Sequence, residues 1–143
     1  MKRTLIKRKK SRFEPHDTLC SKYVRLMSGG YCKRCWLRGK GVKVDWRTLH
    51  WAHCFNRNIL ATRWEYDNSA PLCCGCHRHL DLNHEEKHEF FMGILGSKRY
   101  NELREMAKPG GKPDRDKIKA DLQDKIRFLE DDNGGWIFVE DDD

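Results

Sequence analysis

The sequence predicts a small α+β domain held together by a metal staple, and three observations carry that reading. Cys32-x-x-Cys35 and Cys73-x-x-Cys76 are two tight cysteine pairs, and together they offer the four thiolates of a tetrahedral structural zinc site. Between the pairs Val42 and Val44 alternate with charged residues at the period of a strand, whereas beyond them apolar residues recur at helical spacing. Only 38% of the 143 residues are hydrophobic, which is meagre for a large core, so one domain stabilised by an ion is expected.

Taken in order, the elements are as follows. Residues 1–17 read as a basic arm. Leu19, Tyr23 and Leu26 share one helical face over Thr18 to Met27, and Gly29-Gly30 ends that helix at the first cysteine turn. Val42, Val44 and Trp46 read as a strand that continues towards His53, followed by a loop from Asn56 to Thr62. After the second cysteine turn comes a helix with Phe90, Phe91, Ile94 and Leu95 as its apolar face, broken by Gly96. Ser97 is a fitting N-cap for a further helix carrying Tyr100, Leu103 and Met106. The core domain therefore spans residues 18–108. Residues 109–143 add a Pro-Gly-Gly-Lys-Pro linker, an amphipathic helix from Asp114 to Glu130 and an acidic tail. Ile118, Leu122, Ile126 and Leu129 form that helix's stripe, which packs on the domain or on a partner.

Charge divides the chain. Residues 1–63 hold seventeen Lys/Arg against three acids (Glu14, Asp17 and Asp45), and the remainder is net acidic. So dense a positive half is the footprint of a polyphosphate partner, with Lys7, Arg8, Lys9 and Lys10 in the arm as DNA contacts; a solvated tail is the alternative. The tail's Glu140 to Asp143 is either a solubilising segment or a competitor of DNA for the basic half. Met1 to Arg12 has no apolar run of signal-peptide kind, and no stretch reaches the length that crosses a bilayer. The expectation is therefore a cytoplasmic chain with reduced cysteines and no membrane partner. Cys20, Cys54 and Cys74, outside the two pairs, read as buried or half-exposed thiols.

His53, Asn68 and His77 occur in that order, with Asn68 just ahead of Cys73 and His77 directly after Cys76. This arrangement resembles the HNH, or ββα-metal, endonucleases. It is similar in particular to phage recombination endonucleases of the NinG type. The likeness runs through Ser21-Lys22-Tyr23-Val24-Arg25-Leu26, His50-x-x-His53, Asn56-Arg57-Asn58, Ala61-Thr62-Arg63-Trp64 and Asn68 to His77, and covers roughly residues 18–107.

The resemblance implies roles. His53 would be the general base, Asn68 would hold its loop across the hairpin, and His77 would bind a catalytic Mg²⁺ or Mn²⁺. Asp81, one helical turn after His77, would share that ion. Where the family often has a ligand before the base, this chain has Ala52; His50 is the replacement, and a bulge or turn is needed to bring it beside His53. Arg57 and Arg63 would clamp phosphates, with an ordinary surface salt bridge as the alternative. Trp46, Trp51 and Trp64 pack the hairpin, or one of them stacks on an unpaired base. His16, His79, His84 and His88 are expected at the surface.

The implied activity is metal-assisted hydrolysis of branched recombination-intermediate DNA in a phage or prophage setting within a bacterial cell. The alternatives are a less selective nickase or double-strand endonuclease, and a zinc-dependent nucleic-acid-binding module without catalysis. A homodimer would suit two symmetric cuts.

Overall fold

The structure is a computed structural model that describes residues 13–131. It contains helices α1 (Pro15–Met27), α2 (Lys33–Leu37), α3 (Leu60–Arg63), α4 (Cys74–Leu82), α5 (His84–Leu95), α6 (Ser97–Met106) and α7 (Arg115–Asp131). Strands β1 (His50–His53) and β2 (Ser69–Leu72) form an antiparallel pair. The class is α+β, as expected, although the strands are not at the Val42–Val44 alternation.

The hairpin is the wall between two cores. His50 pairs with Leu72, Trp51 with Pro71, Ala52 with Ala70 and His53 with Ser69, a regular register with no inserted residue. Alternation along such a pair sends Ala52, Ala70 and Leu72 to one face and Trp51 to the other. The first face joins Cys32, Leu49, Cys76, Leu80, Phe91 and Tyr100 in a core built around the cysteine pairs. The second face meets Cys20, Tyr23, Val24, Trp64, Leu122 and Ile126, where α1 and α7 lie together.

Several sequence expectations change. The arm does not extend to residue 17, because Pro15 and Asp17 already belong to α1. Pro15 needs no helical hydrogen bond at its nitrogen there, and the Asp17 carboxylate accepts the Glu14 amide at 2.7 Å. Residues 42–44 form no strand. Val42 and Val44 are exposed, and among the described residues their backbone bonds only to Gly30, whose carbonyl accepts the Val44 amide; a single backbone bond makes no ladder. Ser97 is the first helical residue of α6 rather than its cap, a place taken by Gly96 at φ 78°. The 56–62 loop ends in the single turn α3.

The C-terminal helix is part of the domain. Asp114 caps it by accepting the Lys117 amide, and Leu122 and Ile126 are buried against α1. Arg115 pairs with Glu14 and Lys22 with Glu130, at opposite ends of the two helices. His16, expected at the surface, is half-buried against Trp64 and bonds the Arg115 carbonyl at 2.9 Å. His88 is exposed, as expected, with its Nδ1 2.8 Å from the Tyr100 hydroxyl. Lys7, Arg8, Lys9, Lys10 and the Glu140–Asp143 tail lie outside the described residues. Among the described residues no helix is long and apolar enough to cross a membrane.

Candidate metal centre and histidine sites

Cys32, Cys35, Cys73 and Cys76 converge so that all four sulfurs lie within 4.8 Å of one another. Each pair is built the same way. The first cysteine caps a helix, and its sulfur accepts the amide of the second: Cys35 N to Cys32 at the start of α2, and Cys76 N to Cys73 at the start of α4. Cys35 Sγ lies 3.5 Å from Cys76 Sγ and 3.9 Å from Cys73 Sγ. Zn–S bonds of about 2.3 Å in a tetrahedron require sulfurs about 3.8 Å apart. The cluster therefore fits a structural metal ion such as zinc, and none of its cysteines is in a disulfide.

Charge chemistry agrees. Burial and the neighbouring cysteines push the Cys35 thiol up to about 12, and four thiolates this crowded call for a dication. Arg34 donates to Cys76 Sγ at 3.4 Å and lies 3.7 Å from Glu86, a positive group that offsets excess thiolate charge. Sequence reading missed Arg34, although its place inside the first cysteine turn was a signal. Cys20 is fully buried and Cys74 exposed, and burial pushes the Cys54 thiol up to about 12; none of the three joins the cluster.

The candidate catalytic residues fall on both faces of the hairpin. On the face towards α4, His50 and His77 bring their Nδ1 atoms to 2.9 Å, with rings edge to face. Burial, opposed by Asp81 and reinforced by His50, lowers the His77 pKa. Asp81 Oδ2 is 3.4 Å from His77, but from Nε2, the nitrogen opposite the one that meets His50. One ion cannot be held by both nitrogens of a single ring in one chelate, so Asp81 stands outside the His50–His77 pair. It also contacts Lys87.

His53 is on the other face. Its ring stacks edge-on with Trp51 at 4.1 Å, and Nε2 lies 3.2 Å from the Arg63 carbonyl. A carbonyl only accepts, so Nε2 carries the proton and the lone pair sits on Nδ1. Burial first, then the cations Arg57 and Arg63, lower the His53 pKa to about 4, against the Arg63 carbonyl and Asp17, which raise it. The imidazole is neutral at ordinary pH. The bulge expected to bring His50 beside His53 is absent, and the regular pairing sends the two to opposite faces.

Asn68 is fully buried and knits the loop that follows His53. Its Oδ1 accepts the Phe55 amide at 2.9 Å, its Nδ2 donates to the Phe55 and Thr62 carbonyls, and its own carbonyl accepts the Cys54 amide. Arg99 pins the preceding turn through Asp67 and Glu65.

Arg63 is not placed to clamp a phosphate. Its guanidinium is buried against the fully buried Asp17, with Nε 2.8 Å from Oδ1 and Nη2 2.5 Å from Oδ2. Asp17 also accepts Trp64 Nε1 at 2.9 Å and Arg57 Nη2 at 3.2 Å. Arg57 keeps a part-exposed side chain beside His53, so it alone of the two arginines faces solvent with this site. Burial alone would raise the Asp17 pKa, but the hydrogen bonds from Arg63, the Glu14 amide and Trp64 outweigh it, and the carboxyl is held well below the usual range. Sequence reading left Asp17 in the arm; the Glu-Pro-His-Asp run, with an acid three residues after the N-cap, was the available signal. Trp64 is core, Trp51 half-buried, and Trp46 is flanked by Arg25 and Arg47.

In comparisons with protein-family models, curated proteins and solved structures, the chain has no match.

Proposed function

We propose that the protein is a metal-dependent DNA endonuclease of the HNH kind, acting on branched or recombination-intermediate DNA. The observation that carries this reading is the unit β1–β2–α4. It holds a neutral imidazole of fixed tautomer at the end of a strand and a facing pair of imidazoles where the strand meets the helix. Adjacent donors on an octahedral ion with bonds of about 2.1 Å are about 3 Å apart, the spacing of the His50 and His77 nitrogens. An ion held there would meet a DNA phosphate from the hairpin face opposite His53 and offset its charge. Imidazole suits transition ions better than Mg²⁺, so Mn²⁺ and Zn²⁺ belong in the assay beside Mg²⁺.

In this reading His53 Nδ1 takes a proton from the water that attacks phosphorus, and Nε2–H stays on the Arg63 carbonyl throughout. The P–O3′ bond breaks and the leaving 3′ oxygen takes a proton from solvent water, giving a 5′-phosphate and a 3′-hydroxyl. Asn68 keeps the His53 loop from drifting, and Arg57 lies where it can meet a flanking phosphate. A four-way junction and a plain duplex of the same sequence, incubated with each ion, test the proposal and its substrate preference. Products from neither would overturn it.

A second reading, a zinc-dependent nucleic-acid-binding module, is favoured by two observations: Ala52 is buried where a ligand is expected, and His50 and His53 face opposite ways. Tight DNA binding with no cleavage under any ion would select it.

His53→Ala is expected to reduce cleavage about 10²- to 10⁴-fold and leave DNA affinity nearly unchanged, because a general base touches no phosphate. His53 itself should titrate near pH 4 by NMR. Since its folded pKa lies below the ordinary 6.5, the neutral ring favours folding above that value, and this contribution fades as pH falls from 6.5 towards 4. A cleavage rate in His53→Ala equal to the parent's would move the base elsewhere, with His50 the first candidate.

DNA affinity should also depend steeply on salt. Deleting residues 1–12 is expected to flatten that dependence for junction and duplex alike, by about 0.9 in log–log slope per lost phosphate contact. An unchanged slope would remove Lys7, Arg8, Lys9 and Lys10 from the interface.

A further inference from the structure

We propose that the apolar groove between α1, α2 and β2 is a subsite for single-stranded DNA, in which an unpaired base stacks on Trp36 while Lys33 and Lys40 meet the flanking phosphates. It rests on the reading that the chain binds DNA, but not on cleavage. The three tryptophans that the sequence offers for stacking are already engaged. Trp64 is 2% exposed, Trp51 packs against the α1–α7 core, and Trp46 carries the guanidinium groups of Arg25 and Arg47 over its ring. Trp36, in the first cysteine turn, is 54% exposed.

The exposed indole is held in place. Tyr31 meets it edge to face, with ring centroids 4.9 Å apart, and Gly41 lies so close that a Cβ there would stand 3.1 Å from the indole Cε3. The loop that returns Gly41 to the indole is fixed by two backbone bonds: the Gly39 amide to the Trp36 carbonyl at 3.0 Å, and the Lys40 amide to the Cys35 carbonyl at 2.9 Å. The open side of Trp36 gives onto a groove of about 520 Å³, walled also by Met27, Tyr66 and Ile94. Pockets of about 300–1,000 Å³ hold small planar ligands, and an aromatic ring already fixed loses little freedom when a base stacks on it.

Charge selects the occupant. Residues 31–43 hold five cations and no acid. Arg34 is engaged by Cys76 and Glu86, but Lys33, which lines the groove, and Lys40, beside Gly41, stand in no ion pair among the described residues. Asp67, the acid in the groove wall, is offset by Arg99. An apolar peptide or acyl chain would satisfy the walls and leave the lysines without a counter-ion. A nucleotide supplies both a planar face for the indole and a phosphate for the rim. Place agrees with chemistry: Ser69, Ala70 and Pro71 of β2 line the groove and pair across the hairpin with His53, Ala52 and Trp51. A base seated there lies one strand away from the candidate general base, where a branch point offers unpaired nucleotides.

The test uses the full chain with no divalent ion added, so that binding is read without cleavage, and compares an oligothymidylate single strand with a duplex of equal length. Trp36→Ala is expected to weaken single-strand binding about five- to a hundredfold, the loss of one base stack, and to leave duplex affinity unchanged. Lys33→Gln/Lys40→Gln should flatten the single strand's salt dependence by about 0.7 in log–log slope per lost contact. Trp36→Phe keeps a ring to stack on, so binding should persist, while the quench of tryptophan emission that the single strand causes in the parent is lost. A quench that survives in Trp36→Phe, or a single-strand affinity in folded Trp36→Ala equal to the parent's, would overturn the subsite. Equal losses on single strand and duplex would do so too, by making Trp36 a packing residue. A parent that binds duplex but is not quenched by the single strand overturns the subsite and spares the DNA reading, whereas a parent that binds neither overturns both.

Discussion

Cys32→Ser or Cys76→Ser is expected to leave the chain unfolded or aggregated, the largest effect of any single substitution in this protein. Both residues are buried in the first core, between α2, the hairpin and α4, so an ion held by the cluster would join elements distant in sequence. Structural zinc contributes an apparent binding energy of about 10–16 kcal/mol in small zinc-dependent folds, more than the whole stability of a domain. Elemental analysis should find about one zinc per chain, and circular dichroism after strong chelation should lose its cooperative melt. A chain that melts at the same temperature with and without chelator would refute the metal centre. Cys74→Ser is the control, because Cys74 is exposed and outside the cluster.

Asp17→Ala comes next, with an expected loss of about 3–5 kcal/mol. Removing one partner of a buried pair strands the other, and here the Arg63 guanidinium, Trp64 Nε1 and the Glu14 amide would all lose their acceptor. Asp17→Asn keeps the shape but not the charge, and should cost less while still unsettling Arg63. Chemical denaturation of the three proteins measures the order. An Asp17→Ala chain within about 1 kcal/mol of the parent would show that Arg63 finds solvent instead. The pH dependence has a definite sign. The folded pKa of Asp17 lies below its ordinary value of 3.8, so its contribution is complete above that pH and is lost as pH falls further, through the folded value. The parent should therefore lose stability in acid, and Asp17→Asn should show a flatter acid limb.

The Asp17 contact also bears on the candidate catalytic face. Arg63, held by Asp17, presents the carbonyl that fixes the His53 tautomer. In Asp17→Asn the His53 resonance should broaden or move even where the fold survives.

How much of this was legible in the sequence varies with the kind of signal. The cysteine pairs were readable outright, because Cys-x-x-Cys is a local geometry and two copies determine their own partner. The helices from Cys74 to Met106 and from Asp114 onward were readable too, since their apolar residues repeat with the helical period. The Val42–Val44 alternation misled. A period of two is also produced by exposed residues when no neighbouring strand is present to pair with them.

What the sequence by itself determined is therefore the class, the four-cysteine cluster, the charge asymmetry and the set of residues able to do chemistry. Only the tertiary structure decided how those residues group. A regular register across β1 and β2 sent His50 to His77 and His53 to the Arg63 carbonyl. It also drew Asp17, from a helix more than forty residues away, onto Arg63, turning an expected phosphate clamp into part of the core. The reason is physical: a period-two strand separates neighbours by face, and a buried guanidinium must find a carboxylate wherever the fold brings one. Neither condition is written in local sequence.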